Sequence, residues 1–312
     1  MPGQPSLEPQ AAIPVERASE RDTAFLSFFK DVLRDDPTLT IVDVGAQNLS
    51  GEEHVYSPLT RRWPHRIVGF EPVHDREIVE HTDAGVRHVL PVALGDGSNQ
   101  ALHVTRYSAL SSFYRPNRSL RAEFHGPKHL YDIVKTVPLQ TRTLDSLRLE
   151  PADFIKLDAQ GAEPLIVKGG MRYVTETPLV YCETTFVPLY EHAPLFDQHL
   201  SLFRTYGFDL IDLYLNGRRR AELSTADAYP ALAPPGGGRL IWADALYGLR
   251  WLTSRESTGA DRRKALRAAL VLHFLFRHYD VAARIIELHA GEARCRDYVG
   301  MIKIFGSPPV TA

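Results

Sequence analysis

The stretch Thr40–Glu53, TIVDVGAQNLSGEE, starts as an apolar, β-branched run and breaks into a polar loop with one early glycine, Gly45. β-Branched side chains suit a buried strand, and a glycine directly after it lets the backbone turn and approach a neighbour closely. Strands end this way beside nucleotide-like ligands in open α/β sheets, where ligands lie beyond the carboxyl ends of the strands. A dinucleotide fingerprint would carry three glycines here. This loop has Gly45 and, further on, Gly51, so its meaning depends on the rest of the chain.

Working outward, apolar runs that read as strands recur at Arg66–Phe70, His88–Ala93, Asp153–Leu157, Leu179–Thr184, Phe208–Leu213 and Leu240–Leu249, with a further extended run at Lys135–Leu144. Helical spacing predicts a helix capped by Ser19 that runs to Leu33 with Phe25, Leu26, Phe29 and Val32 on one face. Further helices are expected at Asp75–His81, Ala162–Val174 and Pro194–Tyr206. Strands alternating with helices indicate a doubly wound, mostly parallel seven-stranded α/β sheet covered on both faces. No long helix separates Phe208–Leu213 from Leu240–Leu249, so the final strand is expected to be antiparallel. Beyond Ser257 the apolar residues Leu266, Ala269, Leu270, Leu272 and Phe276, then Val281, Ile285 and Leu288, predict a C-terminal helical hairpin. The expected divisions are a Pro-rich, disordered tail over 1–17, a sheet domain with its N-terminal helix over 18–252, and a helical extension over 253–312.

Composition narrows the function classes. A chain of 312 residues with net charge −2 offers no basic excess for nucleic acid. Cys182 and Cys295 stand in unrelated contexts and read as reduced thiols rather than a disulfide frame. No apolar run reaches membrane-spanning length and the start has no signal-peptide core, so a cytoplasmic globular protein is expected. The run Gly217–Arg220 reads as a solvated hairpin tip. The apolar stripe of the C-terminal helices either packs on the sheet domain or forms a homodimer contact.

Four strand ends carry candidate residues. In Asp43-Val44-Gly45-Ala46-Gln47, the amides beside Gly45 either hold a carboxylate or ribose, or belong to a plain turn. In Phe70-Glu71-Pro72, Glu71 either accepts ribose hydroxyls or is the N-terminal acid of the next helix. Ala93, Leu94, Gly95 and Asp96 either flank an adenine slot or form an ordinary Asp-Gly turn. The strongest is Asp153–Glu163, DFIKLDAQGAE, which places Asp158 and Glu163 within one strand-to-helix junction. Two carboxylates so close are costly unless used or paired, with Lys156 or Lys168 as the available partners.

Together these residues resemble the FkbM family of methyltransferases. The resemblance rests on Asp43-Val44-Gly45-Ala46, Phe70-Glu71-Pro72, Thr143-Leu144-Asp145, Ile155-Lys156-Leu157-Asp158 with Gly161 and Glu163, Val167-Lys168-Gly169, and Trp242–Leu246, and covers roughly residues 40 to 250. Class I methyltransferases, which use S-adenosylmethionine (SAM), insert a final antiparallel strand, whereas dinucleotide-binding dehydrogenases end on parallel ones. The resemblance implies methyl transfer from SAM to an oxygen of a glycan or polyhydroxylated metabolite. Asp158 is then the first acid/base candidate, with Glu163, Glu183 and His54 behind it. The implied cofactor set is Asp43, Gly45, Ala46, Gln47, Glu71, Pro72, Ala93, Leu94, Gly95, Asp96 and Asp158. No residue is assigned to a metal. The long segment Tyr107–Asn117, rich in aromatic and hydroxyl side chains, suggests Ser111, Ser112 and Tyr114 for the acceptor, with Tyr190 at the same border. Gln47 stands where the family usually has asparagine, Leu49 where a second glycine is common, and Gln160 where glutamate is usual. An NAD-dependent oxidoreductase on a similar sheet and a degenerate, non-catalytic interaction protein are the alternatives.

Overall fold

A computed structural model of the protein describes residues 15–48, 53–223, 237–255 and 261–305. Residues 1–14 of the expected tail, and Leu49 and Gly51 of the opening loop, lie outside the described residues, whereas Val15–Arg17, expected in the tail, begin the N-terminal helix, which therefore starts ahead of Ser19. The chain divides into two compact units, residues 38–260 and a second made of the segments up to 37 and from 261.

In the larger unit, β1 (Leu39–Val44) is the centre of the sheet because its side chains are apolar on both faces. Leu39, Ile41, Val42 and Val44 are all buried, as a central parallel strand requires. It pairs in parallel with β2 (His65–Phe70) on one side and with β7 (Phe154–Leu157) on the other. This is the switch point, where successive connections leave in opposite directions. Beside β2 lies β4 (Gly85–Leu90), and beside β7 lies β8 (Leu179–Thr185), both parallel. The antiparallel β10 (Arg239–Leu249) sits between β8 and β9 (Phe208–Arg219), as the missing helix between them predicts. One face of the sheet packs Val44, Ile155, Leu157 and Val180 against Ile166, Val167 and Phe203 of the covering helices.

The differences from expectation are local. Asp75–His81 is not helical. Ile78–Thr82 forms β3, antiparallel to β4 at the sheet edge, which makes eight strands rather than seven. Ile78 and Val79 are β-branched, and Thr82 closes the tight turn by accepting from the Gly85 amide at 3.1 Å. The extended run near Lys135 is outside the main sheet. Ile133–Gln140 (β6) pairs with an unanticipated strand, Asn99–Thr105 (β5), as a separate antiparallel hairpin. Short helices α2 (Ser57–Thr60) and α3 (Arg118–Ala122) occupy connections. The expected helix at Ala162–Val174 is broken at Gly170 into α4 (Glu163–Gly169) and α5 (Met171–Thr175), and α6 is Phe196–Thr205.

In the smaller unit the C-terminal hairpin is three helices. These are α7 (Arg262–Val271), extended by a π-helical turn at Leu272–Phe276, then α8 (Tyr279–Ala290) and α9 (Glu292–Phe305). The N-terminal helix α1 (Val15–Val32), read above with the sheet, belongs to this unit. Phe25 and Phe29 pack on His273 and Tyr298, whose hydroxyl meets His273 Nδ1 at 2.8 Å.

One contact at the switch point fixes the ends of β1 and β7. Gly45 has φ +77°, and a Cβ there would lie 1.9 Å from the Asp158 carbonyl oxygen. That carbonyl has little room to retreat, because the Asp158 amide is bonded to Val44 O at 3.1 Å. Gly45→Ala is therefore expected to destabilise the fold by about 3 kcal/mol or more in urea denaturation. A loss below about 1 kcal/mol would show that the two loops have room to part.

Candidate active site

Beyond the carboxyl ends of β1, β2, β4 and β7 lies a cleft of about 1010 Å³, open to solvent. That is the place expected of a small-molecule site in such a sheet. Its base is an ion cluster. Lys156, on β7, is half-buried with its ammonium 3.3 Å from Asp43 Oδ1 and 3.4 Å from Asp158 Oδ2. Asp43 is wholly buried, and Tyr56 donates to its Oδ2 at 2.7 Å. The His54 ring stacks on Tyr56 and brings Nδ1 to 3.6 Å from the same oxygen. Burial alone would raise the Asp43 pKa, but Lys156, His54 and the Tyr56 hydrogen bond together hold it below the ordinary carboxylate value. Burial pulls Lys156 down, yet its pairing with Asp43 and Asp158 prevails and raises it. For His54 burial wins over Asp43 and lowers the pKa. Asp43 thus anchors Lys156, which lines the cleft, from behind and does not itself line it.

The expected amide cradle is differently used. The N–H groups of Gly45 and Ala46 both donate to Phe70 O, at 3.0 and 3.2 Å, so they join β1 to β2 rather than offering themselves to a ligand. Ala46 O in turn accepts from Arg87 Nη2 at 2.6 Å. Gly45 and Gln47 do line the cleft, and Gln47 Oε1 accepts from Ser108 Oγ at 3.0 Å. Glu71 and Pro72 line it from the end of β2. Glu71 is buried, and its Oε1 accepts from the Val73 amide at 2.9 Å. Its Oε2 has no donor among the described residues. Burial raises its pKa despite the Val73 bond. From Ala93–Asp96 only Leu94 reaches the cleft. Gly95 donates to Arg142 O at 2.9 Å, and Asp96 Oδ1 accepts from the Ser98 amide at 3.0 Å, and neither lines the cleft.

At the β7 end the two candidate carboxylates separate. Asp158 lines the cleft with its side chain 39% exposed, enough for a ligand to reach it. Glu163 is buried, and its Oε1 accepts from the amides of Ala159 and Gly161 at 2.7 and 3.3 Å. It ties the loop and does not line the cleft. Gln160, in the left-handed conformation at φ 51°, bridges the acids. Its Nε2 donates to Asp158 Oδ1 at 3.0 Å and to Glu183 Oε2 at 2.7 Å. Its Oε1 accepts from Tyr190 Oη at 2.8 Å. Burial, then Asp158, raises the Glu183 pKa. Asp244, opposite Glu183 in the β8–β10 register, is raised to about 6 by burial and then Asp158. Ser111 and Ser112 line the cleft, and Ser112 Oγ donates to Gln160 O at 2.6 Å. Tyr114, Tyr190 and Glu183 stand behind the lining residues.

Sequence reasoning missed Tyr56, Arg87 and Asp244, and left Lys156 as a mere ion-pair partner. A lysine inside the apolar run Phe154–Leu157 was the available signal. No group of three or more His, Cys, Asp or Glu fit to hold a metal occurs among the described residues. None of their helices is long and apolar enough to cross a membrane.

A mostly parallel sheet with an antiparallel strand inserted near its end, and a carboxylate-lined cleft at the switch point, defines a methyltransferase-like protein. Residues 43–210 match the methyltransferase FkbM domain, and the chain belongs to the FkbM methyltransferase family. No curated protein and no solved structure matches the chain.

Burial raises the Glu163 pKa to about 7 from an ordinary 4.5. The folded state therefore holds this proton more tightly, and the stability it gives is lost as pH climbs from about 4.5 through 7. A glutamine side chain at this position would accept the same two amide bonds without ionising. Glu163→Gln is expected to match the wild type near pH 4.5 and to exceed it by about 1–3 kcal/mol at pH 8, read by denaturation at both pH values. Equal stability at pH 8 would show that the buried carboxylate is ionised at no cost.

Proposed function

We propose that the protein transfers a methyl group from S-adenosylmethionine to a hydroxyl oxygen of a glycan or other polyhydroxylated metabolite. The observation that carries this reading is Glu71, a buried carboxylate at the end of β2 with Oε2 left without a protein donor beside the cleft. An oxygen so placed, open to the cleft, suits the vicinal hydroxyls of a ribose, because a carboxylate accepts charge-assisted hydrogen bonds from such donors. Val92, Leu94 and Ile166 give the same cleft an apolar side for a flat base. Bound SAM would supply a methyl group already activated on a sulfonium.

The chain's own residues then have two tasks, orientation and proton handling. Asp158 is the exposed acid of the β7 end, so it is the group to receive the proton of an acceptor hydroxyl. Lys156 and Gln160 fix its two oxygens from opposite sides. Glu183 shares Gln160 with it from behind the lining residues, and burial with the neighbouring acids raises its pKa. Gln47 offers an amide to the polar end of the donor, and Ser111 lines the same cleft with a hydroxyl, while the Ser112 hydroxyl is bonded to Gln160 O.

Calorimetry with SAM and its demethylated product tests the donor: folded protein that binds neither would sink the reading. Glu71→Ala is expected to weaken SAM binding by about 1–3 kcal/mol. An unchanged affinity removes Glu71 from the ribose. Asp158→Asn should keep the affinity for the demethylated product, while methylation of a glycan extract, followed as a one-methyl mass gain, falls by about 10²-fold or more. Full activity in that variant would assign proton transfer elsewhere.

A further inference from the structure

A second cleft of about 670 Å³ lies in the same unit, between the Tyr107–Tyr131 segment and the β9–β10 hairpin. Its charge is opposite to that of the first. Arg121, Lys128 and Arg219 line it, and no aspartate or glutamate among the described residues does. Lys128 reaches Glu222 at 3.0 Å, but Arg121 and Arg219 meet no carboxylate among the described residues. Arg121 is the decisive side chain. It is only 9% exposed, its Nε donates to Leu189 O at 3.2 Å, and its guanidinium lies 3.1 Å from the centroid of the Tyr131 ring. A guanidinium buried with one carbonyl partner and an aromatic face has paid desolvation without a counter-charge, and its planar fork matches carboxylate and phosphate.

The two clefts share a wall one turn thick. Ser108, Ala109 and Ser111 face the first, while Tyr107 and Leu110 face the second. Tyr190 spans the divide: its hydroxyl lies 3.0 Å from Leu110 O and 2.8 Å from Gln160 Oε1, and its ring centroid is 5.2 Å from the Arg121 guanidinium. The anion-accepting group and the Asp158–Glu183 pair are thus linked through two side chains, Tyr190 and Gln160.

We propose that the second cleft is an anion subsite that takes a phosphate or carboxylate borne by the methyl acceptor. Arg121 receives the anion, Arg219 and Lys128 reinforce it from the rim, and Tyr107 and Tyr131 flank the attached sugar. Calling the ligand an acceptor rests on the methyl-transfer reading above, whereas the anion site itself does not.

The test is calorimetric titration of the full chain with glucose 1-phosphate, with glucuronate and with neutral glucose, in wild type, Arg121→Met and the exposed Arg219→Met. Saturable binding of at least one anion, at least tenfold tighter than glucose, is expected. It should weaken about tenfold in Arg121→Met and about threefold in Arg219→Met, and fall as salt rises. Should Arg121→Met fail to fold, the Arg219→Met loss and the salt dependence decide. Binding of glucose 1-phosphate alone assigns a phosphate ester, and of glucuronate alone a uronate. Anions no tighter than glucose, or an Arg219→Met affinity equal to wild type, overturns the subsite. SAM titrated into the same samples separates the two ideas. Anion binding without SAM binding removes only the donor reading, and SAM binding without anion binding removes only the subsite.

Discussion

The site depends on a lysine ammonium held between two carboxylates at the sheet's switch point. Lys156 lies within 3.4 Å of both Asp43 and Asp158, so β7 is tied to β1 by charge as well as by its ladder bonds. Burying such ions costs several kcal/mol each, and only good geometry with further hydrogen bonds offsets it. Tyr56 and His54 supply that geometry around Asp43. Gly45 makes the arrangement possible, since any side chain there would collide with the Asp158 carbonyl. The result is a cleft whose exposed carboxylate, Asp158, stands at a strand end rather than on a free loop, as a precisely positioned group requires.

Charge at the other side of Asp158 has a different solution. Asp158, Glu183 and Asp244 face one another across β7, β8 and β10, and their mutual repulsion adds to burial in raising Glu183 and Asp244. Gln160 lowers that strain by giving both of its amide protons to carboxylates. A glutamate in its place would add a further negative charge and remove both donors. The amide is therefore suited to a site with one lysine among these acids, and it leaves Asp158 accessible while holding it still.

The central strands were legible because parallel strands buried on both faces read as near-continuous apolar runs, as in Thr40–Val44 and Leu179–Thr184. Ile78–Thr82 was not legible: over five residues helix and strand periods cannot be told apart, and three of its positions are exposed or half-exposed polar residues. In the site, Glu71 and Asp158 were found because an acid at a strand end has a place in such folds. Asp158 and Glu163 looked alike in sequence. The backbone separates them, through positive φ at Gln160 and Gly161, which turns one carboxylate outward and closes the other onto the loop amides. Gly45 was the right residue with the wrong neighbour, since the carbonyl that needs the space comes from a distant strand. Arg121 carried no local signal, for its partners Tyr131 and Leu189 are brought to it only by the fold.

The departures from the family pattern gain sense from the same geometry. Gln47 and Gln160 could mark a site that has lost its chemistry, yet both amides are engaged with the segment that walls the cleft. Gln47 accepts from Ser108, Gln160 accepts from Tyr190 through its side chain, and its backbone oxygen accepts from Ser112. Here the longer amide at 47 and the neutral one at 160 each close a bond to the wall between the two clefts. The substitutions and the wall are parts of one arrangement, in which the strand ends that would hold the donor are fastened to the segment that would choose the acceptor.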